Sequence, residues 1–217
     1  GRLETEEKYQ HGKAHGFHTR YFQNGQIKSQ IPFLKGQKYG RAQSYHDNGQ
    51  LKQRLNYSDN QLSGLAQMWD ADGNLISSEN YKAGKLHGAS KNYYAKGQLK
   101  SESSYLDGLQ TGKTKSFFEN GTLQYSGQYK SGQLHGKQQQ FNKNGEITLL
   151  VNYREGLKHG ETQSYDHNGQ VDYQANYQFG LKSGKELRFS PHPETNERVI
   201  RSLITFKGNE RNGPFET

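Results

Sequence analysis

Four histidines, His15, His87, His135 and His159, each stand one residue before a glycine and are separated by multiples of 24 residues. Imidazoles in register would suit a row of metal ligands. If each 24-residue unit is a two-stranded hairpin, equivalent positions on successive hairpins lie about 9–10 Å apart, two strand spacings. Two nitrogens that far apart cannot both sit about 2 Å from one zinc ion. The four are turn residues, and no metal site is expected. His11, His18, His46, His167 and His192 form no motif. With no cysteine, thiolate chemistry and disulfides are excluded. No phosphate loop, HExxH or G-x-S-x-G occurs, and the carboxylates are scattered across the repeats. Glu4, Glu6 and Glu7 cluster only near the chain start, as solvated charge. No catalytic residue and no cofactor are expected.

Recognition chemistry is more promising. Lys28, Lys52 and Lys100 recur at one repeat position, where other units hold Ile76, Gln124, Thr148 and Asp172. An aspartate in that line argues against a phosphate track. The lysines remain possible contacts to an anionic surface. Phe22, Tyr94 and Phe118 are aromatics outside the repeating aromatic columns, where other units hold His46, Asp70, Asn142 and Asp166. Strand alternation points these three at the polar face, where aromatics often anchor protein interfaces. They are the candidate partner-binding residues.

The elements that position them follow from the repeat. Gly16, Gly40, Gly64, Gly88, Gly112, Gly136, Gly160 and Gly184 are 24 residues apart. Five residues after each comes an aromatic, from Tyr21 to Phe189. Nine after each of the first seven comes another glycine, from Gly25 to Gly169. An aliphatic follows two later (Ile27 to Val171) and an aromatic six after that (Phe33 to Tyr177). Five of the tips are Asn-Gly, which reads as a tight hairpin turn. Asn60 replaces the glycine of one linking turn, as the other residue that tolerates a left-handed backbone.

The expected fold is all-β: an elongated single-sheet array of stacked hairpins. Residues 1–15 form a capping strand and truncated repeat, 16–183 form seven 24-residue repeats, and 184–217 form a modified capping repeat with the loop expanded over 190–197. Alternation in 122–129 places Leu123, Tyr125, Gly127 and Tyr129 on one face and Thr122, Gln124, Ser126 and Gln128 on the other. The column aromatics and aliphatics are thus expected to share one face. Tyr125 and Tyr173 are extra rings on that face. About sixteen strands at about 4.8 Å give a rod of about 75 Å.

Composition agrees. The 217 residues are only 29% hydrophobic but 12% aromatic, with 26 glycines and 4 prolines. Such a chain builds a thin, ring-based core rather than a thick aliphatic one. Net charge is +8, with no basic cluster. Positive charge suits an acidic partner but lacks the concentration that nucleic-acid binding needs, so no nucleic acid is expected. No run of 18 apolar residues exists. The start, Gly1-Arg2-Leu3-Glu4, reads as following a removed segment.

The unit G-x4-[YFW]-x2-N-G-x-[LI]-x5-Y-x2-G-x2-[HNST]-G, seen well in 88–111 and 112–135, resembles the bacterial variant of the MORN repeat, over about residues 9–213. The resemblance implies stacked hairpins. It also implies an antitoxin component or an immunity partner of a secreted toxin, including phospholipase-type effectors. The expectation is a monomer, when free, that neutralises a cognate toxin by occlusion in the periplasm, with the cytoplasm as the alternative compartment. Eukaryotic MORN proteins imply the other reading, a membrane-associated scaffold meeting anionic headgroups.

Overall fold

The computed structural model describes residues 4–192, 195 and 197–213. Gly1, Arg2 and Leu3 of the expected capping strand, part of the expanded loop (Pro193, Glu194, Asn196) and 214–217 of the expected capping repeat lie outside the described residues. Among those described there is no helix, and each recorded strand pairing is antiparallel. The chain divides into two compact units, Gly1–Leu109 and Gln110–Thr217.

In the first unit, Gly16–Tyr21 pairs with Ile27–Leu34, Gly40–Tyr45 with Leu51–Ser58, Gly64–Trp69 with Leu75–Lys82, and Lys85–Tyr93 with Leu99–Leu106. Each hairpin is stitched to the next through short registers such as Ser29↔Ser44 and Gln67↔Arg54. Thr5–Glu6 lies against Gly16–Tyr21. The second unit repeats the plan. Leu123–Lys130 pairs with the strand ending at Phe117, Gly136–Phe141 with Ile147–Arg154, Leu157–Tyr165 with Val171–Gln178, and Leu181–Pro191 with Arg198–Lys207.

The two kinds of turn are the reverse of a simple Asn-Gly hairpin. At the tips only the glycine is left-handed: Gly25 has φ +87°, and Asn24 does not cross into positive φ. Gly25 N donates to Phe22 O at 2.9 Å and Phe22 N donates to Gln26 O at 2.8 Å. This is a three-residue loop closed by a glycine bulge. The register accordingly skips one residue in every hairpin, as between Arg20↔Ser29 and Tyr21↔Ile27. The two-residue turn with both φ positive sits instead between hairpins, as at Asp59 (+50°) and Asn60 (+66°). Asn60 does substitute for the turn glycine, and its Oδ1 also accepts from Lys38 N at 2.8 Å.

The core is thin. No large side chain is fully buried among the described residues. The most regular buried column stands two residues after the repeat glycines from Gly40 to Gly184: Ala42, Ala66, Ser90, Thr114, Gln138, Thr162 and Glu186 are 3% to 7% exposed. Around it lie half-buried rings, several covered by linking-turn lysines. Lys38 stands 5.3 Å from the Tyr57 ring, Lys158 5.0 Å from Tyr177 and Lys182 4.9 Å from Phe206. Their aliphatic stems shield ring surface while the ammonium stays wet.

The two aromatic columns do not share a face. Gly40↔Tyr57 and Ala42↔Leu55 put the second column on the face of the small buried residues. Trp69, an odd number of residues from Gly64, points the other way. Its ring stands 5.4 Å from the Arg54 guanidinium, and Arg54 is paired with Gln43 and Gln67. Tyr165 Oη likewise donates to Gln163 Oε1 at 2.7 Å, two residues back on the same side. Tyr21 Oη donates to Glu6 Oε2 at 3.2 Å. The expectation of one shared face fails because five residues from glycine to first-column aromatic is an odd step, while both members of a cross-strand pair point the same way.

Candidate functional site

The inversion relocates every recognition residue. Phe22, Tyr94 and Phe118 each follow a first-column aromatic, so they stand towards the face of the second column and the small buried residues, the tyrosine face, and not the opposite one. Each opens a tip turn: Tyr94 N donates to Gln98 O at 2.9 Å and Phe118 N to Thr122 O at 2.8 Å. All three rings are half-buried.

Lys28, Lys52 and Lys100 are the residues the bulge leaves unpaired. A bulge breaks alternation and re-aims its side chain. Gln124, at the same position, accepts from Ser116 Oγ at 3.3 Å, and Ser116 shares the tyrosine face through its pairing with Tyr125. The lysines therefore leave the face that plain alternation gives them. Lys28 Nζ lies 5.6 Å from the Phe22 ring centroid, and Lys100 Nζ lies 5.5 Å from that of Tyr94. Two groups of residues that the sequence kept separate are thus brought together as aromatic–cation pairs at two hairpin tips. Lys52 has no such ring, because His46 occupies the turn there, its Nε2 3.0 Å from Trp69 O. Phe118 has no lysine, because Gln124 fills the bulge.

The same turn position shows what these aromatics displace. Asp70 Oδ1 accepts from Asp72 N at 3.0 Å and Asn74 N at 2.8 Å. The Asn74 amide, and then the turn N–H groups, hold the Asp70 carboxyl below its usual range. Asp166 and Asn142 close their turns in the same way. A phenylalanine cannot. In those turns Asn24 Oδ1 and Asn120 Oδ1 accept instead, from Gln26 N and Thr122 N, both at 3.0 Å. Local turn chemistry favours Asp or Asn where Phe22, Tyr94 and Phe118 stand, and such departures mark positions held for another purpose.

Around Phe22 lies an open cavity of about 690 Å³ lined also by Glu4, Thr5, Arg20, Tyr21, Gln23 and Lys28. Two cations, Arg20 and Lys28, and the carboxylate of Glu4 share that lining. The histidine row forms no cluster. His87 Nδ1 is 3.2 Å from Asp107 Oδ1, and the His159 ring stacks 4.8 Å from Phe179. Sequence reasoning missed the buried column that includes Gln138, because its Ala, Ser, Thr, Gln and Glu members carry no common hydropathy signal.

Similarity to solved structures is weak. A porin-like protein from Bacteroides uniformis matches at 10% identity over 86% of this chain and 88% of that one, with a TM-score of 0.20. The TcdB2-TccC3-Cdc42 structure matches at 15% identity over 93% of this chain, with a TM-score of 0.18. The Photorhabdus luminescens Tc holotoxin pore matches at 14% identity over 92%, also with 0.18. The chain spans 15% of the matched chain in each of these last two. No curated protein matches. The family model described as MORN repeat variant matches seven tandem segments, residues 14–35, 38–59, 62–83, 86–107, 110–131, 134–155 and 158–178. These segments keep the spacing of the repeat and cover most of the chain: it belongs to the MORN repeat variant family.

Proposed function

We propose that this repeat protein is a non-catalytic binding protein, an antitoxin or immunity protein that neutralises a cognate secreted toxin by covering its active site or substrate entrance. The family resemblance suggests the toxin, including the phospholipase type, and the periplasm. The observation that carries the binding role is the pairing of Phe22 with Lys28 and of Tyr94 with Lys100 at hairpin tips, each ring taking a turn-closing position. An aromatic beside an ammonium suits a protein surface that offers an apolar side chain next to a carboxylate. Net charge of +8 speeds encounter with an acidic partner.

The test is a titration with the toxin encoded beside this chain in its native genome. A tight stoichiometric complex that abolishes toxin activity supports the reading. No complex, together with salt-sensitive sedimentation on anionic liposomes, overturns it in favour of a headgroup-binding scaffold.

A further inference from the structure

The tyrosine face of the second unit contains a trough unlike that of the first. Two cavities, of about 420 and 310 Å³, share Tyr125 and Gln140 among their lining residues. One is lined by Phe118 and Gln124, the other by Tyr129 and Tyr153. No charged side chain lines either. In the first unit, the corresponding cavity measures only about 130 Å³ and has one ring, Tyr57. The difference traces to one repeat position: Ser29 and Gln53 line the first cavity where Tyr125 and Leu149 line the second. The trough is therefore written into this part of the sequence and is not a general product of the repeat.

We propose that this trough binds a neutral oligosaccharide. Half-buried rings form a floor that suits the apolar C–H face of a pyranose. Gln124 and Gln140 are exposed at the trough. Each amide offers a donor and an acceptor, the pattern that adjacent sugar hydroxyls need. An acyl chain would leave these amides unpaired, and an ionic ligand would lose hydration with no countercharge to replace it. The two cavities are neighbours across the shared Tyr125 and Gln140, and a chain of sugar rings can fill both where a monosaccharide fills one. Of the candidate partner-binding residues this site uses only Phe118, whereas Gln140 belongs to the trough alone, so the response of Gln140→Ala to sugar probes separates it from the toxin-binding reading.

Saturation-transfer NMR and calorimetry on the full chain test it, with cellohexaose, maltohexaose and laminarihexaose as neutral probes and an oligogalacturonate as the anionic control. The expected result is saturation transfer to at least one neutral hexaose, with affinity unchanged between about 50 and about 500 mM salt. Phe118→Ala and the exposed Gln140→Ala should each weaken that binding by about fivefold or more, with the melting temperature of Gln140→Ala unchanged. Transfer to none of the neutral hexaoses overturns the proposal. So does stronger, salt-sensitive binding of the oligogalacturonate, or an affinity in both variants equal to the parent's.

Discussion

The phenol of Tyr125 lies across Gly127, two residues along the same strand, and there its hydroxyl meets Gln138 Oε1. A Cβ at Gly127 would stand 2.7 Å from Tyr125 Cζ and still closer to the Gln138 amide. Gly127 has an ordinary strand φ, so its smallness is steric rather than conformational. Gln138 is 5% exposed, and its Nε2 donates to Gln128 O at 3.0 Å and His135 O at 3.1 Å, so it cannot step aside. Gly127→Ala should therefore expel the ring and cost about 1–3 kcal/mol. In urea unfolding, Tyr125→Ala and Gly127→Ala should combine less than additively, because the first removes one of the two groups that the second strikes. Full additivity would show that the ring does not depend on Gly127.

The linking turn gives a second, independent expectation. Asp107 (φ +50°) and Gly108 (φ +86°) are both left-handed. A β-branched residue there is strained whatever the surrounding space, so Gly108→Val should cost about 1–3 kcal/mol or more. Thermal unfolding measures it. A melting temperature equal to the parent's would contradict the turn geometry.

Trp69 is the single tryptophan, which makes the inverted face directly observable. With the Arg54 guanidinium 5.4 Å from its ring, iodide should quench its fluorescence more than caesium does. Arg54→Gln should shrink that difference. If the ring instead lay on the tyrosine face, the substitution would leave the ratio unaltered.

Tyr81 supplies a pH dependence. Its hydroxyl donates to Glu79 Oε2 at 2.7 Å. Burial first, and then that carboxylate, push the phenol up to about 12 from the ordinary 10.0. A raised folded-state value means that the stabilisation is complete below pH 10. It is lost as pH rises towards 12, because the unfolded chain ionises first. Stability measured across that window should fall less steeply in Tyr81→Phe. An identical slope would exclude the Tyr81–Glu79 contact as a cause.

Much of this was legible in the sequence, because the 24-residue period fixes element type, turn spacing and the pairing of Gly40 with Tyr57. The faces were not. They depend on whether the bulge residue, such as Lys28, counts in the alternation, and hydropathy is silent where both faces carry aromatics. The buried column was missed for a related reason. Ala42, Thr114 and Glu186 are all buried at this one position, so neither size nor hydropathy marks it in the sequence. Glu186 finds Lys182 and Arg188. The residues of the tip pairs were singled out by sequence, but their association was not, since it arises from the bulge.

The most direct test is calorimetry of the parent and the Phe22→Ala/Tyr94→Ala double variant with the toxin encoded alongside. Neither ring belongs to a repeating column, so the variant should melt close to the parent. The predicted loss of affinity is about thirtyfold, about 2 kcal/mol, as expected when two anchor rings are truncated. It should be reproduced in part by Lys28→Gln/Lys100→Gln, whose effect should shrink in high salt. Unchanged affinity in the double aromatic variant, against a parent that binds tightly, would contradict the assignment of the partner surface to these tips.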